Sequence, residues 1–92
     1  MYYVYILRCA DDSFYVGYAR DPSERVEAHN SGRGAAYTFK RFPVELVYSE
    51  PHSTRLEAIR RERQLKGWTR KKKEALIRGD LARLRALSKR RT

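Results

Sequence analysis

Apolar and aromatic side chains open the chain in two short runs that a polar step separates. Residues 2–7 are all Tyr, Val, Ile or Leu, and residues 13–18 repeat much of that character after Asp11-Asp12. Runs of this composition favour β-strands, and the acidic pair favours a turn between them. Alternation places Tyr3, Tyr5 and Leu7 on one face of the first strand. In the second strand it places Ser13, Tyr15 and Gly17 on one face. The chain therefore begins with a predicted β-hairpin.

A helix is predicted after the hairpin. Asp21 can cap it, Pro22 suits the first helical position, and Glu24 places an acid in the first turn. The helix is predicted to end at Asn30, where a Ser-Gly step follows.

Residues 31–42 combine small, basic and aromatic side chains without a clear period. This composition is typical of a loop with a short turn, and we expect the loop to lie near a ligand. A third strand is predicted over residues 44–48, immediately after Pro43.

Three further helices are predicted in the second half of the chain. Ser53 or Thr54 caps the first of them, which ends before Gly67. Thr69 caps the next, which ends near Arg78, and a Gly-Asp step then provides a stop and a new cap. The buried side of the first helix is predicted from Leu56, Ala58, Ile59 and Leu65. The apolar side of the second consists of Ala75, Leu76 and Ile77, and the third has a narrow apolar stripe of Leu81, Leu84 and Leu87.

One acidic residue, Glu62, interrupts the apolar stripe of the first of these helices. It falls four residues after Ala58 and three before Leu65, so it shares their face. An ionised carboxylate in such a position must be paired, bound to a metal or placed at the lip of a cleft. A salt bridge to Arg61, Lys66 or a distant arginine is one interpretation, and a functional carboxylate is the other.

The composition indicates one small globular domain. Ninety-two residues, of which 41% are hydrophobic, suffice for a single core. The only cysteine, Cys9, cannot form an internal disulfide and excludes the usual thiolate-rich zinc sites. No apolar run approaches the roughly 18 residues that span a bilayer, and no basic leader precedes the first apolar run. We therefore expect a cytoplasmic protein in a reducing compartment.

The net charge of +10 is carried by the C-terminal part of the chain. Residues 55–92 hold 15 basic and four acidic side chains, whereas residues 1–54 hold six and seven. Such a distribution is typical of proteins that bind polyanions, because each Lys or Arg that neutralises a phosphate releases a condensed counterion. A nucleic acid is thus the first partner to consider, and the alternative is that these side chains only solvate helices. A membrane surface is disfavoured, since the basic segment has few large apolar residues. The candidate phosphate contacts are Arg60, Arg63, Lys66, Arg70, Lys71 and Lys72.

Arginine, histidine and tyrosine provide further candidates for chemistry. Arg25 and His29 lie four residues apart in the first predicted helix and therefore on one side of it. Each has a structural alternative, because Arg25 can pair with a nearby acid, Asp21 or Glu24, and His29 can cap or pack at the helix end. The seven tyrosines are first of all amphipathic core residues, although two of them lie ten residues apart on consecutive strands: Tyr5 and Tyr15.

The order and spacing of these residues resemble a known family. Tyr3-Val4-Tyr5 is followed ten residues later by Tyr15-Val16-Gly17, then by Arg25, and further on by Glu62 in a charged helix. Together they resemble the GIY-YIG nuclease superfamily, and specifically its small bacterial stand-alone members with a single domain. The resemblance covers residues 2–78 and leaves a basic helical tail over 79–92. It implies an α+β fold with a three-stranded antiparallel sheet flanked by helices, and divalent-metal-dependent hydrolysis of phosphodiester bonds.

The resemblance also implies a role for each candidate. It places Tyr5 and Tyr15 at the two signature tyrosines, Arg25 at the family arginine, His29 at a supporting polar position, and Glu62 at the glutamate that binds Mg²⁺ or Mn²⁺. A lone carboxylate suits Mg²⁺, which keeps water and takes phosphate oxygens as its other ligands. A guanidinium can grip a phosphate in two places. A tyrosine can act as a base only with a lowered pKa or with a proton pathway through His29, and we expect Tyr15 to be that tyrosine.

Three functions stay open on the sequence. The first is an endonuclease that recognises the structure of DNA and acts in DNA repair or recombination. RNA is the alternative substrate, and a protein partner could direct the enzyme to its target. The second is a catalytically weak or inactive nucleic-acid-binding protein, because many members have an asparagine after the glutamate, whereas Asn30 precedes it here. The third is a scaffold whose basic helices dock an acidic protein.

Overall fold

The computed structural model describes residues 1–35, 37, 38 and 40–89, without the side chain of Lys89. Residues 90–92 of the predicted basic tail and residues 36 and 39 of the predicted loop lie outside the described residues. The elements are, in chain order, β1 (Tyr2–Arg8), β2 (Phe14–Ala19), α1 (Pro22–Asn30), β3 (Glu45–His52), α2 (Arg55–Lys66), α3 (Arg70–Arg78) and α4 (Leu81–Lys89). This arrangement confirms the predicted α+β class. Within the described ranges, no helix is both long and apolar enough to cross a membrane.

The three strands form one antiparallel sheet in the order β2-β1-β3, with β1 at its centre. The predicted hairpin joins β1 to β2, and the Cys9 amide donates to the Ser13 carbonyl at 2.8 Å across its turn. Asp12 in this turn has a positive φ of 68°, a conformation that a short polar side chain tolerates better than most others. The polar residues of this turn therefore favour the pairing of β1 with β2.

The third strand is longer than predicted. It begins at Glu45 and continues to His52, whereas the prediction ended at Tyr48. The polar residues beyond Tyr48 have no apolar signal, but their backbone still pairs with β1. Pro51 is tolerated there because β3 is an edge strand, where a missing N–H does not break a central hydrogen-bond ladder.

The helices begin and end where the sequence predicts. The Asp21 carboxylate accepts hydrogen bonds from two amides in the first turn of α1, at 3.0 and 3.3 Å. Thr54, rather than Ser53, caps α2, and Thr69 caps α3. α3 ends where Gly79 takes a left-handed φ of 70°. Capping of this kind is worth about 1 kcal/mol at each helix, and it depends only on neighbouring residues.

Each face of the sheet has its own apolar cluster. The face that packs against α2 and α3 buries Val4, Ile6, Val16, Ala58 and Leu65. The face that packs against α1 and the segment before β3 buries Tyr5, Leu7, Cys9, Ala19 and Val44.

The prediction that Leu56 is buried is wrong, because 55% of this residue is exposed. Leu56 lies two residues before Ala58, which is about 200° around the helix. Only one of the two can face the sheet, and Ala58 is the buried one.

Asn30 joins the end of α1 to the start of β3. Its Nδ2 donates to the Val44 carbonyl at 3.1 Å, and its Oδ1 accepts from the Val44 amide at 2.5 Å. Val44 is buried, so its peptide groups depend on this side chain instead of water. These two hydrogen bonds close the loop over residues 31–43 and hold it against α1.

We expect Asn30→Ala to lower the free energy of unfolding by about 1–3 kcal/mol, because it leaves two buried peptide groups of Val44 unpaired. Ser31→Ala is the control, since its hydroxyl makes one exposed hydrogen bond and its loss should cost less than about 0.5 kcal/mol. Urea denaturation measures both variants. Equal losses would contradict the role given to Asn30.

Candidate active site

The two signature tyrosines lie side by side on the face of the sheet that α1 covers. The strand register opposes Tyr5 to Gly17 and Leu7 to Tyr15, so Tyr5 and Tyr15 are diagonal neighbours. A Cβ at Gly17 would lie 2.6 Å from the Tyr5 hydroxyl oxygen and 3.2 Å from Cε2 of Tyr15. The missing side chain therefore leaves the space in which the Tyr5 ring crosses β2.

The predicted arginine and histidine lie on α1, on the same side of the sheet. The His29 ring packs against Tyr15, with ring centroids 5.2 Å apart and planes tilted by 59°. The pKa of His29 is lowered by burial and by the positive charge of Arg25, so the imidazole is neutral at neutral pH. Arg25 is exposed and makes no ion pair with Asp21 or Glu24 among the described residues. The structural alternative for Arg25, an ion pair with one of these acids, is thus not observed.

Glu62 comes from α2 and is largely buried, with 16% of its side chain exposed. Its ion-pair partner among the described residues is Lys66, at the long distance of 3.7 Å. Half of the Lys66 side chain is in water, so this pair is screened and weak. The negative charge of Glu62 nevertheless raises the pKa of Tyr5 and of Tyr15, which places the carboxylate within electrostatic reach of both hydroxyls.

Arg61, the other proposed neighbour of Glu62, is held by a second polar cluster between β3 and α2. Glu50 accepts from the Tyr48 hydroxyl at 2.5 Å and from Nε of Arg61 at 2.9 Å, and it lies 2.7 Å from Nε2 of His52. Burial alone would raise the pKa of Glu50, but the hydrogen bonds from these three side chains outweigh it and lower the pKa. Of the partners considered for Glu62, Arg61 is therefore engaged elsewhere, and Lys66 is the one observed.

The environment makes both tyrosines weaker acids than they are in water. Burial, the hydroxyl of Tyr15 and the charge of Glu62 raise the pKa of Tyr5 to about 12, although Arg25 acts in the opposite direction. Burial and Glu62 also raise the pKa of Tyr15, again against Arg25. Both hydroxyls are protonated at neutral pH. Of the two routes considered for a tyrosine base, the lowered pKa is therefore absent, and the proton pathway through His29 is left.

The residues that hold His29 escaped the sequence analysis. Its Nδ1 lies 2.5 Å from the hydroxyl of Thr38, and the backbone of Gly34 packs directly against its ring. The only available signal was the run of small residues in the loop, which indicated a ligand without naming a residue. Both contacts join residues that the chain brings together only by folding the loop back onto α1.

The six predicted phosphate contacts differ in their surroundings. Arg70 donates to the Asp12 carbonyl at 2.6 Å and pairs with Glu74 at 3.0 Å. The Lys72 ammonium lies 4.4 Å from the centre of the Trp68 ring, and Lys66 is the partner of Glu62. The exposed members without an ion pair in the described part of the chain are Arg60, Arg63 and Lys71.

The donor groups fit a divalent ion held by a single protein ligand. Among the described residues, no three His, Cys, Asp or Glu side chains cluster in a way that could hold a metal. Glu62 offers carboxylate oxygens, which Mg²⁺ and Mn²⁺ prefer, and its ion-pair partner in the described part of the chain is the ammonium of Lys66 at 3.7 Å. Water and phosphate oxygens would supply the other ligands.

Comparisons with known proteins show which family this chain resembles. The sequence model of the GIY-YIG catalytic domain matches residues 1–75. A UPF0213 protein of Staphylococcus aureus is 53% identical over 76 residues, which cover 83% of this chain and 93% of that protein. The name of that relative states no activity.

Two structures solved by NMR in solution have a similar fold. The UPF0213 protein of Bacillus halodurans is 45% identical, with a TM-score of 0.54, and the match covers 84% of this chain and 83% of that one. A protein of E. faecalis is 41% identical, with a TM-score of 0.58, and the match covers 88% and 86% of the two chains.

We expect Gly17→Ala to destabilise the protein by about 1–3 kcal/mol, because the new Cβ would meet the Tyr5 hydroxyl oxygen and Cζ at 2.6 and 2.8 Å. Gly67→Ala is the matched control. Gly67 has helical backbone angles and its nearest neighbour would be 3.6 Å from a Cβ, so this variant should be no less stable than the parent. If urea denaturation finds the two variants equally stable, the packing of Tyr5 on Gly17 is incorrect.

Proposed function

This chain belongs to the GIY-YIG catalytic-domain family, and we propose that it is a divalent-metal-dependent endonuclease that hydrolyses phosphodiester bonds in DNA. The observation that supports this proposal is electrostatic. The charges of Arg25 on α1 and Glu62 on α2 act in opposite directions on the hydroxyl of Tyr15 in the sheet. A cation suited to phosphate, a carboxylate suited to a metal, and a hydroxyl therefore share one region.

Glu62 would hold the divalent ion. Nucleases of this family are in general dependent on divalent metals. One carboxylate leaves most positions of Mg²⁺ or Mn²⁺ open to water and to substrate oxygens. When bound, the ion supplies positive charge that neutralises the phosphate and the leaving oxygen.

Arg25 would bind the scissile phosphate. Its guanidinium is exposed and always charged, and its planar fork can donate two parallel hydrogen bonds to phosphate oxygens. Negative charge on these oxygens is redistributed as the attacking oxygen approaches. A guanidinium carried by a rigid helix stabilises that distribution without reorganising, which lowers the barrier.

Tyr15 and His29 would manage the proton of the attacking water. The Tyr15 hydroxyl is protonated at neutral pH and can orient the water by hydrogen bonding. His29 packs against this ring and is neutral, so it can accept the proton that the water loses. Tyr5 is more deeply buried, and its ring supports Tyr15 from the central strand.

The C-terminal helices would supply affinity for the substrate. Residues 55–92 carry 15 basic and four acidic side chains, and the exposed ones can follow a phosphate backbone without reading bases. Contacts of this kind favour recognition of DNA structure over sequence, as repair or recombination requires. The same positive charge would also attract RNA. A protein partner would then direct the protein to its target.

Cleavage of supercoiled, branched and single-stranded DNA in Mg²⁺ or Mn²⁺ tests the function directly, with the matching RNA substrates in parallel. We expect branched DNA to be cut fastest and EDTA to stop the reaction. Glu62→Gln and Arg25→Gln should each lower the single-turnover rate at saturating protein by about 100-fold or more.

Two variants that remove the same charges elsewhere serve as controls. Glu27→Gln on α1 and Arg8→Gln at the end of β1 change exposed side chains and should keep the parent rate. The site assignment is wrong if Glu62→Gln and Arg25→Gln cut as fast as these controls. Salt-sensitive binding without metal-dependent cutting would favour an inactive nucleic-acid-binding protein, and no binding at low salt would favour an acidic protein partner.

Lys71→Gln should weaken DNA binding and reduce the slope of log affinity against log salt by about one, because an exposed lysine releases about one counterion. Arg70→Gln should change the slope less, since Asp12 and Glu74 already hold this guanidinium. Fluorescence anisotropy at several salt concentrations measures both slopes. If the two variants have equal slopes, the expected difference between Lys71 and Arg70 in phosphate binding is contradicted.

A further inference from the structure

Thr38 is a fully buried polar residue in the loop between α1 and β3, at 0% exposure. Its hydroxyl oxygen lies 2.5 Å from Nδ1 of His29 and 3.0 Å from the carbonyl oxygen of Ala35. A hydroxyl has one proton and two acceptor sites, so the direction of these two hydrogen bonds is linked. The proton of Thr38 therefore determines which nitrogen of His29 is protonated.

The carbonyl oxygen of Ala35 has no proton, so in the 3.0 Å hydrogen bond between these oxygens the Thr38 hydroxyl is the donor. If the hydroxyl proton pointed at His29 instead, two oxygen lone pairs would face each other at 3.0 Å. With its proton committed to Ala35, the hydroxyl can only accept from His29. Nδ1 of the neutral ring must then carry the hydrogen, and Nε2 must have the free lone pair.

The second ring nitrogen is not engaged by Thr38. Within the described residues, Nε2 of His29 has no hydrogen-bond partner. His29 as a whole is 2% exposed, so the ring is enclosed by protein. The tautomer therefore decides whether Nε2 is a proton donor or a proton acceptor.

The loop is shaped around this ring at a second point. A Cβ at Gly34 would lie 2.6 Å from Cγ of His29 and 2.8 Å from its Cα. Only glycine allows the backbone to approach so closely. Gly34 blocks one side of the imidazole while Thr38 binds its edge, so the orientation of the ring is set by the loop and not by α1 alone.

We infer that Thr38 is a positioning residue that keeps His29 in the tautomer protonated on Nδ1, so that Nε2 can accept the proton of the attacking water. This inference rests on the proposed function and adds a group that touches neither substrate nor metal. The groups that face the ring are Arg25 of α1, Tyr15 of β2 and Thr38 of the loop. The first two control charge and packing, whereas Thr38 controls the tautomer.

Long-range ¹⁵N–¹H correlation spectra of the whole protein test the tautomer without any assay of activity. The spectra are recorded well above the ordinary histidine pKa of about 6.5, and His29→Gln identifies the signals. We expect an unprotonated Nε2 and a protonated Nδ1 in the parent and in Thr38→Ser. Thr38→Val should populate the Nε2-protonated form. A parent ring protonated on Nε2, or a tautomer unchanged by Thr38→Val, overturns the inference.

Cleavage of branched DNA then tests the catalytic consequence. Thr38→Val should lower the single-turnover rate by about 10-fold to 100-fold, as loss of an orienting partner does elsewhere, while DNA affinity stays unchanged. Thr38→Ser should restore most of the rate. If Thr38→Val cuts like the parent, or if Thr38→Ser is as slow as Thr38→Val although its tautomer is retained, the positioning role is wrong.

The tautomer of His29 and its catalytic consequence can be tested separately. If the parent cuts no nucleic acid, the proposed function and the catalytic consequence both fall, while the spectra still decide the tautomer. Urea denaturation of Thr38→Val guards against simple unfolding. Should this variant be unfolded, the comparison of parent with Thr38→Ser in the spectra and in cleavage carries the test, and a changed tautomer in Thr38→Ser would count against the inference.

Discussion

The arrangement of the candidate site depends on the space that Gly17 leaves for the ring of Tyr5. The Tyr5 ring lies across β2 at Gly17, and its hydroxyl reaches the neighbourhood of Tyr15. Both hydroxyls are then withdrawn from water, and burial raises the pKa of each. A tyrosinate is consequently absent at neutral pH, so the proposed function requires a base from another element. His29 on α1 is the neutral group that packs against Tyr15.

Two polar clusters on this small sheet have opposite characters. Glu50 receives hydrogen bonds from a tyrosine and an arginine and contacts a histidine, which lowers its pKa and ties β3 to α2. Glu62 is similarly withdrawn from water but has one distant and half-exposed ammonium as partner. A carboxylate whose oxygens already accept several hydrogen bonds is a structural group, whereas a carboxylate with few partners retains oxygen lone pairs for a cation. The engagement of Arg61 with Glu50 keeps that arginine away from Glu62 and so preserves the difference.

The loop between α1 and β3 contributes to the stability of the fold and, under the proposed function, to the chemistry of the site. Asn30 fixes its far end through the backbone of Val44, and the loop then folds back so that Gly34 and Thr38 enclose His29. Asn30 is thus committed to the fold through its two hydrogen bonds with Val44. The stability of the loop and the orientation of the imidazole are therefore coupled.

The sequence by itself determined the features that depend on neighbouring residues. The hairpin, the caps at Asp21, Thr54 and Thr69, and the stop at Gly79 all follow from interactions within a few residues, and they are present as predicted. The same local view failed where periodicity was weak, at the exposed Leu56 and at the polar end of β3. It also identified the buried position of Glu62 as unusual, because one helical face is a local property.

The tertiary structure alone decided which of these groups meet. Strand register brought Gly17 opposite Tyr5, the packing of α2 against β3 gave Arg61 the partner Glu50, and the fold of the loop gave His29 the partner Thr38. These outcomes depend on distances between residues far apart along the chain, which no local pattern encodes. Capping and turn energies belong to short segments, whereas the pKa values and the tautomer at the candidate site arise from charges and hydrogen bonds that only the assembled fold brings within reach.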